Sequence, residues 1–226
     1  MGVIYTATTL TPSKEELLTT WLPTQPWYAT PGREPELTKV GGFRVDDPAN
    51  EVGIEFMAVT DGSGDQAITY HAALTYRGSP CQDTAAELIG TTEHGVLGRR
   101  WAYDGTRDLV LIAQLVALIQ GDAPAQAQSK SHTLDPTVIS RPVTGERLTV
   151  AGSAVAADGP DGTDLRVTTA DAGGGPAGDL LVRINRVLRP VSGSADGDLG
   201  QPGVSATWRL PDSGRVRGVF ATARLA

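Results

Sequence analysis

Glu93, His94, Arg99, Arg100, Trp101, Tyr103 and Asp104 crowd into the stretch LIGTTEHGVLGRRWAYDGTRD, residues 88–108, of an otherwise plain chain. Three kinds of chemistry suit that density. The histidine and carboxylates could move protons; Trp, Tyr and Arg together have the composition of a binding surface; or the charges could fasten one structural element to the next. The third is the preferred reading. Gly90, Gly95, Gly98 and Gly105 punctuate the segment, so the backbone is expected to turn repeatedly rather than form one regular element. Charges placed between core elements usually form structural ion pairs. On this view the segment is a hinge, with Trp101 and Tyr103 largely buried and Arg99 or Arg100 paired with Glu93, Asp104 or Asp108. A ligand or protein contact is the alternative.

Other chemistry finds little support. GGGPAG at residues 173–178 lacks the Gly-Lys-Ser/Thr of a phosphate-binding loop and reads as a hairpin turn. There is no GxSxG elbow, and His71, His94 and His132 are too scattered for a metal site. Cys81 is the single cysteine, which excludes an internal disulfide. No catalytic residue, metal or cofactor is assigned. A net charge of −7 with only three lysines argues against nucleic acid, which is bound by clustered cations. No segment approaches the ~20 apolar residues of a membrane span, no signal peptide is evident, and a cytoplasmic location is expected.

The elements that must position these residues follow from patterning. SKEELLTTWL predicts a helix capped by Thr11, with Pro12 in its first turn and Pro23 at its end. Residues 52–60 and 68–76 alternate as strands joined by the turn DGSGD, placing His71 opposite Tyr70 and Ala72. Residues 109–119 predict a long amphipathic helix, capped by Asp104 or Thr106 and closed by Gly121. Residues 122–142 are polar and read as a linker. Beyond it, short alternating runs at 148–155, 165–169, 180–188, 204–210 and 216–223 predict antiparallel strands. The expected fold is therefore α+β: an N-terminal helix plus antiparallel sheet in residues 1–121, including the long helix, then the linker and a small antiparallel β domain in 143–226.

WLPTQPWY, residues 21–28, resembles the signature near the start of bacterial maltokinases, and EHGVLGRRWAYDGTRDLVLIAQLVALIQG resembles a later segment and helix of the same N-terminal cap. The resemblance covers about residues 11–121. It implies a cystatin-like α+β cap, which in that family precedes a β-rich lobe and a catalytic lobe that phosphorylates maltose with ATP. Pro26 stands where maltokinases often carry arginine. LLVRINRVLRP looks like the strand bearing the nucleotide-binding lysine, with Arg183 in its place. Neither the His-Gly-Asp catalytic loop nor the Asp-Phe-Asp/Glu metal motif occurs. The resemblance thus implies a stand-alone, non-enzymatic interaction or regulatory protein of α-glucan and trehalose metabolism, partnered by an enzyme of those pathways. The alternative is a saccharide-binding module stacking sugar on exposed Trp27, Tyr28 and Trp101.

Overall fold

The structure is a computed structural model that describes residues 9–82, 86–130, 132–171, 173–191, 200–210 and 214–226. The first half runs β1 (Leu10–Thr11), α1 (Lys14–Trp21), β2 (Leu37–Asp46), β3 (Val52–Asp61), β4 (Ile68–Arg77), β5 (Leu88–His94), β6 (Gly98–Asp104) and α2 (Leu109–Gln120). The second contributes β7 (Ala125–Ala127), β8 (Ile139–Arg141), β9 (Thr149–Asp158), β10 (Gly162–Ala170), β11 (Pro176–Asn185), β12 (Val187–Leu188), β13 (Gly203–Leu210) and β14 (Gly214–Leu225). All pairings are antiparallel, and the main path through the sheet is β1-β5-β6-β4-β3-β2-β13-β14-β11-β10-β9.

That path corrects the expected class. The protein is mainly β, with 52% of the described residues in strands and two short α-helices among them, rather than an α+β cap followed by a long helix and a small β domain. The reason lies in α2. Its sequence LVLIAQLVALIQ is apolar on nearly every side, which suits a helix surrounded by other elements. It touches β2, β13 and β9, which are spread along the sheet path, so strands from both halves curl around its 12 residues. One core then joins Phe43, Phe56 and Leu115 to Val167, Ile184 and Phe220. A second core on the opposite face of β3 and β4 packs Leu18, Trp21, Leu22, Trp27 and Tyr28 against Met57, Val59 and Tyr70.

Residues 122–142, expected as a linker, add β7 alongside β2 and β8 alongside β13. β2 itself carries no clear strand signal, because LTKVGGFRVD interrupts its alternation with two glycines. Those glycines occupy the seam between the halves. A Cβ on Gly41 would stand 2.8 Å from that of Trp208, its partner on β13, and Gly42, at φ +120, would place one 2.1 Å from the Phe56 carbonyl. Only glycine fits either place.

Helix ends differ from expectation by a few residues. α1 begins one residue after Ser13, which forms a reciprocal capping box with Glu16, so Thr11 is not its cap. Asp108 caps α2, while Asp104 caps the preceding single turn of 3-10 helix, Gly105–Arg107. Gly121 ends α2 in the left-handed region, as its sequence predicts. Among the described residues, no helix is long and apolar enough to cross a membrane.

Candidate functional site

Residues 88–104 form a hairpin of β5 and β6 with a register shift between Leu88 and Gly90, not a repeatedly turning segment. Gly95 lies in its turn and Gly98, at φ +69, closes it; Gly90 sits within β5 opposite Ala102, and Gly105 follows β6. At this outer end His94 Nδ1 accepts the backbone N–H groups of Val96 at 3.2 Å and Leu97 at 3.1 Å, so that nitrogen carries no proton. Burial, then the Arg100 charge, lowers the His94 pKa despite an opposing backbone hydrogen bond, which suits this role. The turn thereby holds Val96 and Leu97, 60% and 43% exposed, at its tip. Arg99 Nε donates to Glu93 Oε1 at 2.7 Å, and both side chains are more than half exposed. Arg100 lies opposite Thr92, and the half-buried Trp101 opposite Thr91.

The inner end of the hairpin is different. Tyr103 is buried, and its hydroxyl accepts the Cys81 N–H at 2.8 Å. Asp104 is buried beneath Arg186, whose Nη2 donates to Asp104 Oδ2 at 2.5 Å and to Thr106 Oγ1 at 3.0 Å. Arg186 Nε reaches Thr163 Oγ1 at 2.9 Å, and the guanidinium lies 5.0 Å from the ring centre of Trp27. Arg186 is 0% exposed, and its carbonyl accepts the N–H of His71 on β4. One side chain therefore joins the hairpin, the Trp27 loop and the second half. Its position was legible: Leu180, Val182 and Ile184 point inward on β11, and continuing that alternation by two places reaches Arg186. Arg183, taken from the kinase resemblance, points outward and pairs with Asp164 at 2.9 Å.

Trp27 and Tyr28 are 1% and 7% exposed, so neither offers a face to a sugar. Trp27 packs edge-on against Trp21 and lies beside Tyr70, while the Tyr28 hydroxyl donates to Asp61 at 3.0 Å. Asp61 also accepts Thr30, Arg33 and the Glu36 N–H, which fixes the whole loop after α1. Pro26 is exposed.

Two further buried titratable groups escaped the sequence reading as a site. Glu55, on β3, accepts hydrogen bonds from Lys14, Lys39, Tyr76 and Gln128. Burial pushes its pKa up, but the two ammonium groups outweigh that and hold it at about 2. A carboxylate this saturated is a poor base. His71 is enclosed between Phe56 and Phe220 and donates Nδ1–H to the Asn185 carbonyl at 2.9 Å. Burial first, then the Arg186 charge, lowers its pKa to about 3. Its role is structural: the ring is fully covered and hydrogen-bonded within the core. No group of three His, Cys, Asp or Glu among the described residues could hold a metal ion.

The hydrogen bonds of Trp21, Tyr28, Asp61 and Asp104 all begin within one contiguous segment. Residues 21–108 match the maltokinase N-terminal cap domain. The chain carries a maltokinase N-terminal cap-like domain. The match opens at Trp21, the first residue of WLPTQPWY, and closes at Asp108, the cap of α2. α2, which the resemblance over residues 11–121 includes, lies beyond it. No curated protein matches the chain. Arg186 and the seam strand β13 therefore lie outside the matched cap, although both bond directly to it.

Proposed function

We propose that this chain is a non-catalytic interaction protein of α-glucan and trehalose metabolism, acting in the cytoplasm on or beside an enzyme of those pathways. The observation that carries the reading is the maltokinase cap match over residues 21–108, which links the chain to that metabolism at the level of the family. The state of the buried polar groups supports a non-catalytic role. Asp104 is saturated by Arg186 and Thr106, Glu55 by four donors, and His71 is sealed between aromatic rings. The outer end of the β5–β6 hairpin is the surface offered to the partner: Val96 and Leu97 at its tip, then Arg99, Arg100 and Trp101 along β6. Apolar residues flanked by arginine and tryptophan have the make-up of an interface centre. The saccharide reading is weaker, since burial removes Trp27 and Tyr28 and leaves Trp101 alone.

Capture from a lysate of the source cell tests this. The wild-type protein should enrich an enzyme of glucan or trehalose metabolism, and Leu97→Asp should lose it while keeping the same unfolding midpoint. Equal capture by both proteins would remove the hairpin from the proposal. ATP and maltose given to the purified protein should yield no maltose phosphate above the blank; turnover would overturn the non-catalytic reading.

A further inference from the structure

Among the described residues ten arginines stand against a carboxylate. That is expected of a chain with 26 acidic and 19 basic residues. The β13–β14 hairpin departs from it. Arg209 and Arg215 are directly opposite each other in its register, both are exposed, and among the described residues no hydrogen bond or ion pair joins either to another. Trp208 is buried in the core, so Arg209, the next residue on β13, faces outward, and its cross-strand partner Arg215 shares that face. Arg217 is two residues further along β14. Its Nη1 is held by the Thr137 carbonyl at 2.7 Å and Ser205 Oγ at 3.0 Å, so its charge is anchored beside the pair. Asp135 is the acid that acts on Arg217, and Lys39 on neighbouring β2 is turned to Glu55.

Like charges directly opposite on a sheet repel, because their Cβ atoms are only about 4.5–5.5 Å apart. An acidic chain that nevertheless keeps two such arginines without a counter-charge among the described residues places two guanidinium-bearing side chains next to each other on one exposed face. We infer that Arg209 and Arg215 form a binding site for a phosphate monoester, a ligand class beyond the function proposed above. Each planar fork can donate two parallel N–H groups to a pair of oxygens, which a point-like ammonium cannot. A dianion balances both charges; a single carboxylate balances one.

The test uses the whole protein in chloride buffer at neutral pH, with inorganic phosphate as the probe and acetate as the carboxylate control, followed by calorimetry or amide chemical shifts. Phosphate should bind saturably, at least tenfold more tightly than acetate, and Arg209→Gln/Arg215→Gln should weaken it at least tenfold. Absence of saturable phosphate binding, equal binding by the variant, or equal binding of acetate would each overturn the site. Asp212 is the one carboxylate encoded between the two arginines, and Asp212→Asn should change phosphate affinity less than twofold. A tenfold gain there would make Asp212 the pair's own counter-charge and overturn the inference. Independently of any ligand, neutralising either arginine relieves repulsion, so the unfolding midpoint of the unliganded protein should rise by roughly 1–3 °C. A fall in both single variants would contradict the unbalanced pair.

Discussion

The two ends of β6 carry the same kind of interaction with opposite surroundings. At the outer end Arg99 meets Glu93 at 2.7 Å in water; at the inner end Asp104 meets Arg186 at 2.5 Å with both side chains enclosed. By distance alone the pairs are alike. Solvent decides what each is worth. The exposed pair is screened and must hold two long side chains in place, so it stabilises little. The enclosed pair has already given up hydration, and removing either partner strands a charge.

The largest expected effect follows from breaking the inner pair. Arg186→Ala should destabilise the protein by about 3–5 kcal/mol, because Asp104 is left buried without its cation. Denaturant unfolding measures this. The double variant Asp104→Leu/Arg186→Met, which removes both charges and keeps the volume filled, should be more stable than either single variant. If the double variant simply added the two losses, the pair's geometry rather than its charge balance would be what matters.

A second expectation concerns acid. His71 has a folded pKa of about 3, below its ordinary 6.5, so the unfolded chain takes up a proton that the folded protein refuses. Its stabilising contribution is present above pH 6.5 and is lost as pH falls towards 3. The slope approaches about 1.4 kcal/mol per pH unit once the unfolded imidazole is fully protonated. Glu55 acts in the same direction at lower pH: its contribution is complete above its ordinary 4.5 and disappears as pH falls through about 2. Unfolding free energy measured between pH 7 and 2 should therefore decline in two overlapping stages. His71→Phe should flatten the upper stage and leave the lower one.

The smallest effect belongs to the outer pair. Arg99→Gln or Glu93→Gln should shift stability by no more than about 0.5 kcal/mol, and less still in high salt. A loss comparable to that of Arg186→Ala would mean that the hairpin tip is held as rigidly as its base.

Much of this was legible in sequence from local alternation and turn residues, although β3 and β4 are buried on both faces. The β3–β4 pair, the strands of the second half and the Gly121 stop of α2 all follow from local pattern. Class was not legible, because α2 is apolar all round and a periodicity argument cannot say how many strands surround it. Nor was the seam: Gly41 and Gly42 look like interruptions until Trp208 is seen against them. At the candidate site, Tyr103 is buried as the hinge reading expected, whereas Trp101, expected to be buried with it, is only half covered. The expected pairing of Arg99 with a nearby carboxylate is present at Glu93, but Asp104 is anchored by Arg186, which is 82 residues away in sequence and which no spacing rule connects to it. Trp27 and Tyr28 were misread for the converse reason: aromatic residues beside prolines suggest a surface, and only Tyr70 and Asp61 on the strands behind them show that the loop folds inward.

The guanidinium of Arg186 also lies 5.9 Å from the ring centre of Trp21, in addition to its closer approach to Trp27. Both indoles belong to the matched cap and the cation to the segment beyond it. A fixed positive charge beside an indole alters its emission, so the joint between the two halves carries its own optical reporter. Loosening of that joint would be visible in intrinsic fluorescence before either half lost its strands, without any label being attached.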